Sequence, residues 1–318
     1  MEIIIKSFYP PEHKRFGQIQ LSPRLKQIVL GSLLGDGSLK IAKGYKNARF
    51  CEKHSIVQEA YFNWKVEELK PELKGSVVLS KPDIKSYSKK SKLLYQSAVH
   101  EELTILHHLT HEKNQKLIKR TWLNNIDTLA LAVWWCDDGS LNFVTNQGVF
   151  CTDGFSHSEL VILVNYLAVD WKLDCKIIEA PIKLANGQID MKYRLRFATI
   201  LFFESFLLTI MPLIPVPSML YKVMLCYRDP KQQQRWISEV KKALPNFASE
   251  INHIYERPFE RYATLVEQNP TINFGHVFFK APKFLSLAAA AGLDLSDYPV
   301  DEGAIQIDAE TSENDIVQ

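Results

Sequence analysis

Asp36 and Asp138 are the residues of this 318-residue chain best placed to do chemistry. Each ends an apolar run at Asp-Gly. The runs read Val29-Leu30-Gly31-Ser32-Leu33-Leu34-Gly35-Asp36-Gly37 and Leu131-Ala132-Val133-Trp134-Trp135-Cys136-Asp137-Asp138-Gly139, and Ser-Leu follows both. The two acids lie about 102 residues apart, too far for a solenoid repeat and suited to two copies of a small domain. Ser22-Pro23 predicts a helix start, since Ser caps free amides and Pro fits the first helical position. Leu25, Ile28, Val29, Ser32 and Leu33 then recur at helical spacing. Gly31 and Gly35, one turn apart, leave room for a second backbone. In the other copy Asp127 or Thr128 can cap residues 129–136, a run apolar on all sides and therefore buried. If the two runs pack in parallel, both acids emerge at one end, where the helix dipoles are already negative. Carboxylates there repel unless a cation lies between them. Oxygen ligands with no nearby Cys or His pair favour Mg²⁺, with Mn²⁺ as a substitute.

One such run alone is most often a core helix followed by a turn. Two in register, with matching context, resemble the LAGLIDADG homing endonucleases, in the branch that carries both motifs in one polypeptide. Residues 150–156 (Phe-Cys-Thr-Asp-Gly-Phe-Ser) with Glu159 look like the family segment leading into the second half's long helix. Residues 217–222 (Pro-Ser-Met-Leu-Tyr-Lys) look like its closing element. The resemblance covers roughly residues 24–226. Val133 stands where the family motif usually has Gly, so the helices are expected slightly further apart on that side.

The elements that must position the acids follow from local pattern. Strands are expected over 38–42 and 48–53, a helix over 56–69 ended by Pro71, a strand pair with a basic loop within 76–99, and a helix over 101–111. The second half repeats this: strands near 140–144 and 149–152, a helix from Glu159 capped by Ser156, strands over 175–181 and 192–198, and a helix over 200–208. The expected fold class is α+β. The resemblance implies two pseudo-symmetric αββαββα half-domains forming a DNA-binding saddle, with a C-terminal extension. The expected boundaries are an arm over 1–22, half-domains over 23–115 and 116–226, and the extension over 227–318. Helices are expected over 232–244 and 282–291, a short strand over 3–8, and a disordered acidic end from Asp301.

The resemblance also assigns roles. Asp36 and Asp138 would hold the divalent metal, helped by the carbonyls of Gly35 and Asp137. The Asp137 side chain is the lesser choice, since one helical step turns it about 100° away. Lys222 would stand near one scissile phosphate. Its counterpart would be Lys116, or failing it Lys119. In a saddle, alternate strand residues face outward. The DNA-contacting candidates are Lys40, Arg49, Lys53, Lys85 and Lys92, then Asn142, Thr145, Lys176, Lys192, Arg194 and Arg196, for base edges or phosphates. His107 and His111 have metal-ligand spacing but no evident third ligand. Trp134 and Trp135 belong to core packing.

Composition sets the bounds. Hydrophobic content of 46% and charge of 23% are ordinary for a globular protein. The net charge of +2 hides an acidic tail: the eight acids after Lys283 leave 38 bases against about 28 acids, roughly +10, elsewhere. That balance suits nucleic acid. Five scattered cysteines suit a reducing intracellular compartment, either a bacterial cytoplasm or the organelle that encodes the chain. No signal peptide or membrane span is expected, because Glu204 and Pro212 break the most apolar stretch. The glycines around Asp36 lack the Lys-Ser/Thr of a phosphate loop, and the acids lack the ladder of a calcium loop. The resemblance therefore implies a monomeric, Mg²⁺-dependent, site-specific double-strand DNA endonuclease of intron mobility. Its target would be long and asymmetric, and its products would carry 3′ overhangs. The alternative is a group I intron RNA maturase on the same fold, with cutting reduced or lost.

Overall fold

The chain was analysed as a computed structural model, which describes residues 21–81, 90–142, 145–183, 187–227 and 229–256. Its first half runs α1 (Pro23–Leu34), β1 (Ser38–Lys40), β2 (Arg49–Ser55), α2 (Glu59–Leu69), β3 (Gly75–Ser80), β4 (Lys92–Ser97) and α3 (Glu101–Thr110). A small hairpin, β5 (His111–Glu112) with β6 (Gln115–Lys116), and the single turn α4 (Arg120–Leu123) join the halves. The second half repeats the order with α5 (Thr128–Asp138), β7 (Gly139–Asn142), β8 (Gln147–Phe150), α6 (His157–Trp171), β9 (Cys175–Lys183), β10 (Ile189–Phe197) and α7 (Ile200–Ile210). The two antiparallel sheets share one topology, β1-β2-β4-β3 and β7-β8-β10-β9. The expected α+β architecture with its αββαββα repeat is what the chain forms.

Caps fix where the central helices begin. Ser22 Oγ accepts from the Leu25 amide at 3.4 Å, with Pro23 in the first helical position. Asp127, rather than Thr128, caps α5 by accepting from the amides of Leu129 and Ala130 at 2.8 and 3.2 Å. Gln27 ties the two starts together. Its side chain donates to Asn125 O and accepts from the Asp127 amide, both at 2.9 Å. At α6, Ser156 and Glu159 form a reciprocal capping box.

Packing of α1 on α5 sets the position of everything between the halves. A Cβ added to Gly31 would strike the backbone of Ala130 and come within 2.9 Å of Val133 Cβ. Val133 is thus accommodated by the glycine opposite it. Trp134 and Trp135 are fully buried, as expected of core residues. Trp134 stacks on Phe150 at 3.8 Å between ring centroids. The Trp135 indole donates to Lys222 O at 2.9 Å.

The halves sit in a compact unit that extends to Ile251; a second unit starts at Asn252, described only through the end of α9 (Ala248–Glu256). Within the first unit, α8 (Pro230–Ala243) buries Trp236, whose indole donates to Val223 O at 3.1 Å. The start of the extension therefore packs as an appendage of the second half. The sequence reading missed α4, α9 and the β5–β6 hairpin. The strand expected over 3–8, the helix over 282–291 and the acidic end lie outside the described residues. No helix among the described residues is long and apolar enough to cross a membrane.

Gly31 yields the first prediction. In an exposed helix, Gly→Ala stabilises by roughly 1 kcal/mol. Here the methyl group meets Ala130 and Val133, so Gly31→Ala should destabilise by about 1–3 kcal/mol. A denaturant midpoint at or above wild type would contradict this packing account.

Candidate active site and nucleic-acid face

Asp36 follows the end of α1 and Asp138 closes α5, so the parallel pair delivers both acids at the same end. Their surroundings differ. Asp36 is exposed, and its Oδ2 lies 3.6 Å from His54 Nδ1. Asp138 is half-buried, and among the described residues its carboxylate has no hydrogen bond or ion pair. Burial pushes it up to about 8, and the negative charges of Asp36 and Asp137 add to the push, against the pull of Lys222 and Lys116. An oxygen donor set this short of positive charge is what a hard divalent cation would relieve. The residues fit that group.

Asp137 is placed otherwise. Its Oδ1 accepts from Tyr61 Oη at 2.9 Å and Lys65 Nζ at 2.8 Å; its Oδ2 accepts from Lys65 Nζ at 2.9 Å and the Asp36 amide at 3.4 Å. Lys65 is fully buried and also lies 3.1 Å from Glu52 Oε2. Burial alone would lower the Lys65 pKa, but Asp137 and Glu52 carry it above the usual lysine value, so it is charged. His54 Nε2 lies 3.7 Å from Glu52 Oε2. Neither carboxylate oxygen of Glu52 makes a well-directed hydrogen bond. Asp36, His54 and Asp137 bring potential ligand atoms within 4.8 Å of one another, the one such cluster of three or more among the described residues.

Lys116 and Lys222 occupy equivalent places. Lys116 Nζ donates to Leu33 O near the end of α1 at 2.7 Å. Lys222, itself buried, donates to Gly139 O at 2.7 Å and to the Trp135 and Asp137 carbonyls of α5, each at 3.3 Å. Burial lowers Lys116, and the nearby acids only partly offset it. For Lys222 the balance goes the other way: burial pulls down, but neighbours including Tyr221, Cys136 and Asp138 carry it up. Lys119, the second choice, lies 3.5 Å from Glu112 instead. His107 and His111 stack at 4.3 Å, and His111 Nδ1 meets Thr110 Oγ1 at 2.8 Å. They gather no third ligand among the described residues.

Strand register decides which cations share a face, because directly opposed residues of an antiparallel pair point the same way. Lys40 opposes Arg49, Lys53 opposes Leu94, and Ser55 opposes Lys92. In β2 the buried positions are Phe50, Glu52 and His54, so Arg49 and Lys53 lie on the open side with Lys40 and Lys92. In the second sheet Asn142 opposes Gln147, and Arg196 opposes both Val149 and Lys176. Lys192 and Arg194 share that parity along β10. Thr145 sits exposed in the β7–β8 turn. Lys85 lies outside the described residues. Arg194 already grips Asp153 through two hydrogen bonds of 2.7 and 2.8 Å, and Lys192 pairs with Asp190 at 2.9 Å.

The profile of the LAGLIDADG DNA endonuclease family matches residues 26–196, more than half of the chain and both motif helices. This chain belongs to that family. Among curated relatives, a probable intron-encoded endonuclease of Wickerhamomyces canadensis is 29% identical over 207 residues, covering 56% of this chain and 86% of that protein. The DNA endonuclease I-ChuI of Chlamydomonas applanata is 23% identical over 185 residues, covering 54% and 83%. RecA of Mycobacterium gastri is 27% identical over 175 residues, and the match spans 50% of this chain and 39% of RecA. The solved homing endonuclease I-WcaI, bound to its DNA recognition sequence, has the same fold. Its TM-score is 0.53 at 23% identity, with 65% of this chain and 88% of that one covered. The matched span contains both Asp-Gly runs, with Asp36 just beyond α1 and Asp138 at the end of α5.

The sequence reading missed Glu52, His54, Tyr61 and Lys65. A signal for two of them was present. In residues 49–55 (Arg-Phe-Cys-Glu-Lys-His-Ser) the parity that buries Phe50 also carries Glu52 and His54 inward. Lys65 falls on the inward stripe of α2 with Phe62 and Leu69.

Asp138 yields the second prediction. Between the ordinary Asp value near 4 and about 8, the folded chain holds a proton that the unfolded chain has released. Stability therefore falls as pH rises through that window, and the loss is complete above it. With EDTA present, Asp138→Asn should melt higher than wild type at pH 8, by up to about 5 kcal/mol. The gap should close toward pH 4. Thermal unfolding followed across pH checks this, and a gap independent of pH would refute it.

Proposed function

We propose that this LAGLIDADG protein is a site-specific, double-strand DNA homing endonuclease using Mg²⁺, with Mn²⁺ able to substitute. One observation carries the reading: two equivalent helices deliver two carboxylates to one place, one of them without a partner among the described residues, and each helix end is capped by a lysine. Asp36 and Asp138 would hold the metal, with the Gly35 and Asp137 carbonyls within the same helix ends. When bound, such an ion supplies Lewis-acid polarisation of the phosphodiester and lowers the pKa of water.

The chain's own residues do the rest. Lys116 and Lys222 hold fixed positive charge at the helix ends, where negative charge develops on a phosphate undergoing attack. The open cationic faces orient the duplex through phosphate contacts, and their polar side chains read base edges. Doubling of the half-domain gives one chain two half-sites, which supports a monomer acting on a long, asymmetric target with staggered cuts and 3′ overhangs. All five cysteines are free thiols, in keeping with a reducing intracellular compartment.

Cleavage of DNA spanning the intron-free form of the host locus tests the proposal. Asp36→Asn and Asp138→Asn should each lower the rate by about 10³-fold or more while binding persists. Lys116→Met should lower kcat by roughly 10²–10³-fold with little change in binding. Wild type that binds this DNA but cuts neither strand in Mg²⁺ or Mn²⁺ would sink the nuclease reading. Binding to the intron RNA would then be the next measurement.

A further inference from the structure

The halves match in topology but not in what they bury behind their acids. Register sets Ser38 opposite Cys51 and Ser140 opposite Val149. Carried along the strands, Phe150 stands where the first half has Glu52, and Thr152 where it has His54. The same offset puts Leu163, buried in α6, at the place of Lys65 in α2. At the corresponding motif position, Asp137 faces Gly35, and a Cβ on Gly35 would lie 2.8 Å from Asp137 Oδ2. The second half packs uncharged side chains where the first packs a charged network.

That network has a direction. Lys65 and Tyr61, both fully buried on α2, hold the carboxylate of Asp137 from α5. The oxygen left facing α1 accepts from the Asp36 amide at 3.4 Å. His54, on the same side, stands 3.6 Å from the Asp36 carboxylate. An acid of the second motif is thereby used to place the acid of the first. Among the described residues nothing equivalent reaches Asp138, because Gly35 has no side chain to offer.

We propose that Lys65, Tyr61 and Asp137 form a one-sided clamp that positions Asp36 and not Asp138, so that the two strand cuts depend on it unequally. The inference rests on the endonuclease reading above. The Asp137 side chain is then a positioning group rather than a metal ligand. Both its oxygens are already occupied by fixed donors, and it reaches the reaction only through Asp36. A clamp acting on one acid predicts unequal effects on the two strands; a general loss of stability would slow both alike.

Two measurements test it. The first is hydrogen exchange of the full chain in EDTA, which needs no catalysis. The Asp36 amide should exchange at least tenfold faster in Asp137→Asn, while the Gly139 amide, bonded to Trp135 O in the other motif, stays as in wild type. The second is single-turnover cleavage in Mg²⁺ of the intron-free locus DNA, with each strand carrying its own dye. Asp137→Asn should change the ratio of the two strand rates at least fivefold from wild type, with nicked product accumulating. Tyr61→Phe, which removes the hydroxyl's contacts to Asp137 and Val133 O and no charge, should shift the ratio the same way by a smaller factor, and it replaces Asp137→Asn should that variant not fold. Equal slowing of both strands, or unchanged exchange at Asp36, overturns the clamp. Wild type that cuts neither strand defeats the endonuclease reading instead, and the exchange result then decides the clamp alone.

Discussion

Close approach of α1 and α5 is the constraint on which the rest of the molecule depends. It is possible because Gly31 gives up a side chain where Ala130 and Val133 press against it. Its consequence is electrostatic. Two helix C-termini, each carrying about half a negative charge, end side by side with Asp36, Asp137 and Asp138 clustered at their tips. The apolar helices can be this close only if that negative charge is answered. The described structure answers it with Lys116 and Lys222 at the carbonyls, and with Lys65 and His54 at the carboxylates. Asp138 remains under-compensated, which is why burial and its neighbours hold it so far above an ordinary Asp.

Magnitudes separate the role of the buried Lys65–Asp137 pair from simple stabilisation. At about 3 Å and an effective dielectric near 20, two unit charges attract by roughly 5–6 kcal/mol. Removing both from water costs several kcal/mol per ion, so the net contribution is small. What the pair supplies is geometry: a lysine from one half, shared with Glu52, meets a carboxylate from the other. The linkage fixes the relation of α2 to α5, and through the Asp36 amide it reaches the first motif.

Much of this was legible in the sequence, for identifiable reasons. The doubled Asp-Gly runs, the Ser22-Pro23 start and the Ser156–Glu159 capping box are local signals, and each element they mark forms where expected. Alternation along β1, β2, β4 and β10 put the candidate cations on one side of each sheet, and the register bears that parity out. The linker was harder. The hairpin that presents Lys116 is only two residues per strand, below what periodicity can mark. The network around Asp137 was not read because its members come from β2, α2 and α5. Only tertiary packing brings them together, although Glu52 and His54 at inward parity were a visible anomaly.

The two open faces differ in how free their cations are, and this bears on how each would meet a polyanion. In the first half, Lys40 and Lys53 are exposed and form no ion pair among the described residues. In the second, Arg194 is held by Asp153 and Lys192 by Asp190, while Lys176 and Arg196 form no ion pair among the described residues. A free surface lysine that meets a phosphate displaces condensed counterions, and its contribution fades as salt rises. An arginine already oriented by a carboxylate loses little side-chain freedom on contact, but part of its charge is spoken for, so it adds less attraction and more direction. On DNA, the first face would therefore supply more of the salt-sensitive grip and the second more of the fixed orientation. The asymmetry accompanies the one behind the acids: the halves share a backbone plan and differ in the charges they place on it.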